Sequence, residues 1–161
     1  MFKRVVVFDL DGTVIDSGHR NPLNPDGTLN LDEYFKLHNR DNVFRDDLLP
    51  LAKYMQIMCM ETNYVIVCTA RTMAEFDFEY LRFHGLRYHK ILHRHADNEY
   101  HSKAKDAALK AEWLRKLQNL RQFNRLPWFM FDDAPPVINA MRGINITTIN
   151  SHKANKKVAK T

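Results

Sequence analysis

The chain has 161 residues, 45% hydrophobic and 27% charged, with a formal net charge of +5. That length suits one domain with its own core. No apolar run approaches the roughly 18 residues of a membrane-spanning helix and no signal-peptide pattern opens the chain, so the reading is a soluble, cytoplasmic globular protein. The two cysteines, Cys59 and Cys68, lie in apolar surroundings without metal-ligand spacing and are expected as buried, reduced thiols.

In chain order, the first element is the apolar run Val5–Phe8, which passes directly into Asp9-Leu10-Asp11-Gly12-Thr13. Residues 16–42, with Gly18, Pro22, Pro25 and Gly27, are the least regular stretch and read as a flap beside a site rather than a second domain. Pro50 suits a first helical turn, with Leu51, Met55 and Met58 following at helical spacing. A second strand is expected over Tyr64–Cys68, followed by Thr69 and Arg71. Thr72 with Glu75 has the spacing of a capping box for a helix that Gly85 stops. A weak third strand at Tyr88–Leu92 leads to a helix over Ala104–Leu120. Trp128–Phe131 reads as a fourth strand, Pro135 and Gly143 bracket a short helix, and Ile144–Ile149 reads as a fifth strand. Residues 151–161 hold Lys153, Lys156, Lys157 and Lys160 and no acid, so +4 of the +5 resides there. This basic tail is expected to be disordered, with weak, salt-sensitive polyanion contact as a second reading.

Alternating strands and helices imply an α/β fold: a three-layer, Rossmann-like parallel sheet of about five strands over residues 1–150, with helices on both faces. Ligands then bind beyond the carboxyl ends of the strands, where Asp9, Asp11, Thr69, Arg71, Asp132 and Asp133 all fall. Side chains alternate along a strand, so Asp9 and Asp11 point the same way. Their mutual repulsion is relieved by a cation or by one acid keeping its proton. Both remedies suit phosphoryl transfer, with Mg²⁺ taking one or two carboxylates, one aspartate attacking phosphorus and its neighbour exchanging protons. Thr69 offers a hydroxyl to phosphate oxygens, Arg71 or a lysine offers positive charge, and Asp132 and Asp133 complete a metal site. Lys110 is the preferred lysine, because Ala107, Leu114 and Leu117 share its helix face and an inward ammonium needs an anion. Lys103 is next, and Thr13 is a further candidate substrate contact.

With these residues in view, "DLDGT", "TAR", the intervening lysine and "FDDAPPVINAMRG" resemble the four motifs of the haloacid dehalogenase superfamily phosphatases, in their usual order. The resemblance implies Asp9 as nucleophile, Asp11 as general acid/base, and Thr69 and Lys110 as the phosphate-stabilising pair. It also implies Mg²⁺ held by Asp9, the Asp11 main-chain carbonyl and Asp132, with Asp133 in support. The segments "DDLLPLAKYMQIMCMETNYVIVCTAR" and "DAALKAEWLRK" further resemble the 3′-phosphatase domain of bacteriophage polynucleotide kinase-phosphatases, where the arginine corresponding to Arg71 belongs to the site. No G-x-x-x-x-G-K-[ST] loop occurs, so a phosphatase without that kinase module is implied.

The expected function is a Mg²⁺-dependent phosphomonoesterase acting through an aspartyl-phosphate. The resemblance implies a 3′-phosphorylated nucleic-acid end as the leading substrate, and the short insert between the first two motifs, which leaves the cleft open enough for a polymer end, favours nucleic acid. The alternatives are a nucleotidase acting on nucleoside monophosphates or another small phosphate ester, and a catalytically idle fold that binds nucleic acid. Retention of both Asp9 and Asp11 speaks against the idle reading. No stable protein partner and no membrane are expected. His84, His89, His93, His95 and His101 crowd one region without cysteines or a tight His-x-x-x-His helix, so rim hydrogen bonding is favoured over zinc. The stretch "HRHADNEYHSK" offers Arg94, His95, Tyr100 and Lys103 as a surface for nucleotide phosphates and bases, or simply a solvated loop.

Overall fold

The computed structural model describes all 161 residues. In chain order the elements are β1 (Arg4–Phe8), β2 (Ile15–Asp16), a 3-10 turn at Gly18–Arg20, α1 (Leu31–Leu37), α2 (Arg40–Val43), β3 (Asp47–Leu48), α3 (Pro50–Met60) and β4 (Asn63–Thr72). There follow α4 (Glu75–Phe83), β5 (Lys90–Arg94), α5 (Glu99–Lys103), α6 (Asp106–Gln118), β6 (Trp128–Asp132), α7 (Pro135–Arg142), β7 (Thr147–Asn150) and α8 (Ser151–Val158). Five strands form one parallel sheet in the order β5-β4-β1-β6-β7, while β2 and β3 pair as a small antiparallel ribbon.

Both faces of this sheet are covered, which is why β1 is an unbroken apolar run rather than an alternating one. Val6 and Phe8 point to one face, where Leu51 and Met55 of α3 and Tyr80 and Leu81 of α4 bury them. Val5 and Val7 point to the other, against Leu114 of α6 and Val137 and Met141 of α7. Strand order reverses at β1, since the chain runs outward through β4 and β5 and then returns to β1's other side with β6. The carboxyl ends of β1 and β6 thus flank the crevice in which such sheets bind ligands.

Several boundaries differ from expectation for local physical reasons. Thr72 does not cap α4; it continues β4, and the free N–H of Ala74 is taken by the Asp77 carboxylate at 2.8 Å. The helix expected from Ala104 starts at Asp106, after a separate short helix, α5, begun by the Asn98 side chain accepting from His101 N. The last strand is only Thr147–Asn150, because Asn145 turns the chain with φ of 59°.

The largest correction concerns residues 151–161. Ser151–Val158 is no loose tail but helix α8, capped by Asn150 and packed on the α3 side through Ala154 and Val158. The buried Asn155 accepts a hydrogen bond from Leu51 N at 2.8 Å and donates one to Thr13 O at 2.9 Å. Ser151 Oγ donates to Gly12 O at 3.1 Å. The lysines occupy the outer side of this helix, and its inner side braces the turn after β1. No helix is long and apolar enough to cross a membrane.

Candidate active site

The turn after β1 is built to hold two carboxylates at the end of a strand. Asp9 N still donates to Phe131 O of β6 at 3.1 Å, so Asp9 keeps sheet geometry. The N–H groups of Thr13, Val14 and Ile15 then converge on Leu10 O at 3.0–3.1 Å. Gly12 makes this wrap possible, with φ of +75° and no side chain where a Cβ would lie 2.5 Å from Asp133 Oδ2.

Three other strand ends or helices supply the remaining groups. The β4–β5 register shifts between Cys68 and Thr72, a bulge-like irregularity that re-aims the residues within it. There Thr69 Oγ1 accepts from Arg71 N at 3.1 Å, and both side chains reach the cavity. Lys110 of α6 lies buried with Nζ 2.9 Å from Asp9 Oδ1 and 2.8 Å from Asp132 Oδ2. Asp132 Oδ1 accepts from Ala134 N at 2.9 Å, which fixes that carboxylate in position. His152 Nε2 stands 3.5 Å from Asp133 Oδ2.

Asp9, Asp132 and Asp133 each place an oxygen within 4.8 Å of the others. Burial, partly offset by Lys110, and the neighbouring Asp132 and Asp11 push the Asp9 carboxyl up to about 8. Burial and then Asp132 raise the Asp133 carboxyl as well. Lys110 is held charged: burial opposes its ammonium, but the paired Asp9 and Asp132 outweigh that cost. One ammonium among three carboxylates leaves this corner short of positive charge.

Asp11 lives in the opposite environment. Its carboxylate accepts from Arg71 Nε at 3.2 Å, Arg71 Nη2 at 2.5 Å and Ser17 Oγ at 2.7 Å. Burial would raise this carboxyl, yet the Arg71 charge and these hydrogen bonds hold it at about 2. Two acids two residues apart are therefore driven in opposite directions, Asp9 upward chiefly by burial and Asp11 downward by Arg71 and its hydrogen bonds.

These groups floor a cavity of about 550 Å³. Leu29, Leu31, Tyr34 and Phe35 of the flap give it an apolar wall, and Arg94, Ser102 and Asp106 contribute polar groups. Arg94 is itself committed, donating to Ala104 O at 2.8 Å and pairing with Asp106 at 2.5 Å.

Residues 1–159 match the family described as bacteriophage T5 5′-deoxynucleotidase. This chain belongs to that family. The 5′-deoxynucleotidase of Escherichia phage T5 is 32% identical over 171 aligned positions, covering 94% of this chain and 68% of the phage T5 protein. Among solved structures, a chain of the Pnkp1/Rnl/Hen1 RNA repair complex superposes with a TM-score of 0.67 at 21% identity, over 92% of this chain. This chain spans only 42% of that longer one. A haloacid dehalogenase-like hydrolase from Streptococcus pneumoniae gives a TM-score of 0.65 at 12% identity, covering 91% of this chain and 83% of that one. A HAD-superfamily hydrolase from Geobacter sulfurreducens gives 0.64 at 14%, covering 91% and 88%. The fold is HAD-like, and this 5′-deoxynucleotidase family member is a phosphoric monoester hydrolase.

In the family member, Asp9, Asp11, Thr69, Arg71, Lys110, Asp132 and Asp133 line one cavity. Two candidates, Thr13 and Lys103, do not line it. Thr13 is wholly buried behind the turn, outside the cavity, where its Oγ1 has no hydrogen-bond partner. Lys103 is exposed on α5 and pairs with Glu99 at 2.5 Å, an i,i+4 contact on its own helix face. His95 lies between His93 and His101 with tilted rings, and His101 meets Trp113 edge-on, whereas His89 Nδ1 accepts from Val65 N. Sequence reasoning missed Ser17, Arg20, Asp46 and Asp77, the polar partners behind Asp11 and Arg71. Asp77 carried a faint signal, because an acid in a first helical turn is a cap; Asp46 carried none.

Proposed function

We propose that this hydrolase removes the 5′-phosphate of deoxynucleoside monophosphates through an aspartyl-phosphate on Asp9. The carrying observation is the single cavity of about 550 Å³ in which Asp9, Thr69 and Lys110 lie beneath the flap wall. That volume lies within the range of roughly 300–1,000 Å³ typical of small-ligand pockets. The polynucleotide 3′-end reading follows from the resemblance to phage 3′-phosphatase domains, with support from a short insert that would leave the cleft open. The insert instead contributes Leu29, Leu31, Tyr34 and Phe35 to the cavity, which favours a substrate of mononucleotide size. The name of the phage T5 relative supports the same preference.

Asp9, Asp132 and Asp133 fit Mg²⁺: all are hard oxygen donors and their combined charge exceeds that of Lys110. The Asp11 main-chain carbonyl would join them. When bound, the ion would keep Asp9 ionised and offset its repulsion from the incoming phosphate.

The chain's own groups account for the steps. Asp9 Oδ attacks phosphorus as the bond from phosphorus to the 5′-oxygen breaks; Asp11, which Arg71 holds ionised in the free enzyme, takes up a proton as substrate phosphate competes for Arg71 and gives it to the leaving alkoxide. Asp11 then takes a proton from water as the water oxygen attacks phosphorus, releasing inorganic phosphate and the Asp9 carboxylate. The Thr69 hydroxyl and Lys110 ammonium hydrogen-bond the transferring oxygens, stabilising charge in a site already arranged for it. Arg71 draws substrate phosphate toward Asp11.

Phosphate release with Mg²⁺ tests the reading on deoxynucleoside 5′-monophosphates, their ribo counterparts, a 3′-phosphorylated oligonucleotide and an aryl phosphate. The expected order places deoxynucleoside 5′-monophosphates first in kcat/KM. Turnover of the oligonucleotide without turnover of mononucleotides would overturn it. Asp9→Asn should retain the fold by circular dichroism and release no phosphate.

A further inference from the structure

The cavity wall raises a physical question: what holds it in place? Helix α1 contains no buried residue, so hydrophobic burial does not anchor it. The flap is instead tied down at its two ends by contacts to buried carboxylates. At one end Arg20 donates twice to Asp46, at 2.9 and 2.8 Å, and His19 Nε2 stands 2.8 Å from the same carboxylate. At the other, His38 Nε2 stands 2.8 Å from Asp77 Oδ2. Asp46 and Asp77 are both buried, and both also face Arg71. Asp77 Oδ1 accepts from Arg71 Nη1 at 2.7 Å, and Asp46 Oδ2 is 3.8 Å from Arg71 Nη2.

We propose that Asp77 is a positioning residue: one of its oxygens aims the Arg71 guanidinium at Asp11 while the other latches His38, so the flap's placement and Arg71's aim form one arrangement. The proposal rests on the site reading above for Arg71 but not on the identity of the nucleotide. Arg71 uses Nε and Nη2 on Asp11 and Nη1 on Asp77, so two carboxylates fix the plane of a rigid fork. Asp77 is held in turn by Ala74 N at 2.8 Å, at the start of α4. Removing one member of a buried ionic set leaves the others uncompensated, so loss at Asp77 is felt at Asp11 and at the flap together. His38 carries only the flap half of this link; its ring packs on Tyr34 and Phe76 and does not line the cavity.

The test pairs amide hydrogen exchange with kinetics on the full chain, using Asp77→Asn and His38→Ala and the deoxynucleotide and aryl phosphate substrates. In Asp77→Asn, exchange over residues 18–42 should quicken about tenfold with the sheet unchanged, and kcat should fall about tenfold on both substrates. In His38→Ala the same segment should quicken while kcat stays within about twofold and KM for the deoxynucleotide rises about fivefold. Unchanged flap exchange in His38→Ala, equal acceleration of the sheet, or wild-type kcat in Asp77→Asn would each overturn the proposal. Should Asp77→Asn fail to fold, exchange in His38→Ala decides alone. A wild-type enzyme that ignores deoxynucleotides would refute the substrate reading, whereas the exchange comparison would still judge the latch.

Discussion

Gly12 shows how tightly single residues are specified in this site. Its φ of +75° disfavours any side chain, and the space a Cβ would need is already occupied by the Asp133 carboxylate. Gly12→Ala should therefore cost about 1–3 kcal/mol of stability, read from urea unfolding, and displace Asp133 enough to lower turnover. The contrast between Asp9 and Asp11 is of the same kind. Spacing alone makes them equivalent, but Lys110 and Asp132 surround one and Arg71 and Ser17 the other. Their opposite shifts arise from burial of Asp9 and from Arg71, 60 residues from Asp11 along the chain. Local sequence therefore gave their direction of pointing but not their protonation behaviour.

At the scale of elements, α8 braces the catalytic turn from behind. Asn155 spans Leu51 N at the start of α3 and Thr13 O in the catalytic turn. Asn155→Ala leaves both without that partner and should destabilise the fold by about 1–3 kcal/mol in urea titrations. An effect confined to activity would show that α8 is not a structural brace. Composition hid this helix, since four lysines in eleven residues read as a solvated end. The small buried positions that dock it, Ser151 and Asn155, are weak signals. The buried strands were legible because β1, β4 and β6 are continuous apolar runs ended by polar residues. Lys110 was legible because a cation on an apolar helix stripe needs an anion. Asp46 was not legible, and Asp77 only faintly, as an acid in a first helical turn: whether an acid is buried in an ionic set depends on which distant arginine meets it, and spacing along the chain does not encode that.

For the molecule as a whole, this buried charge carries a pH signature. Burial raises the Asp77 carboxyl, but His38, Arg71 and the Ala74 N–H outweigh it and leave it below the ordinary range. A carboxyl whose folded value lies below its unfolded value of about 3.9 contributes fully above that pH, and its contribution fades as pH falls through the folded value. Urea midpoints should thus drop as pH falls below about 4, and Asp77→Asn should flatten that part of the profile. A slope unchanged by the substitution would assign acid lability to other groups.

The brace on the catalytic turn lies 139 residues downstream of it, from Ser151 to Gly12. During synthesis the strand bearing the nucleophile leaves the ribosome long before the helix that steadies it. Loop closure across such a distance is entropically costly and comes late. A nascent chain stopped short of α8 would hold every acid of the site yet lack the support that sets their geometry, so activity should switch on only as synthesis nears completion of the domain.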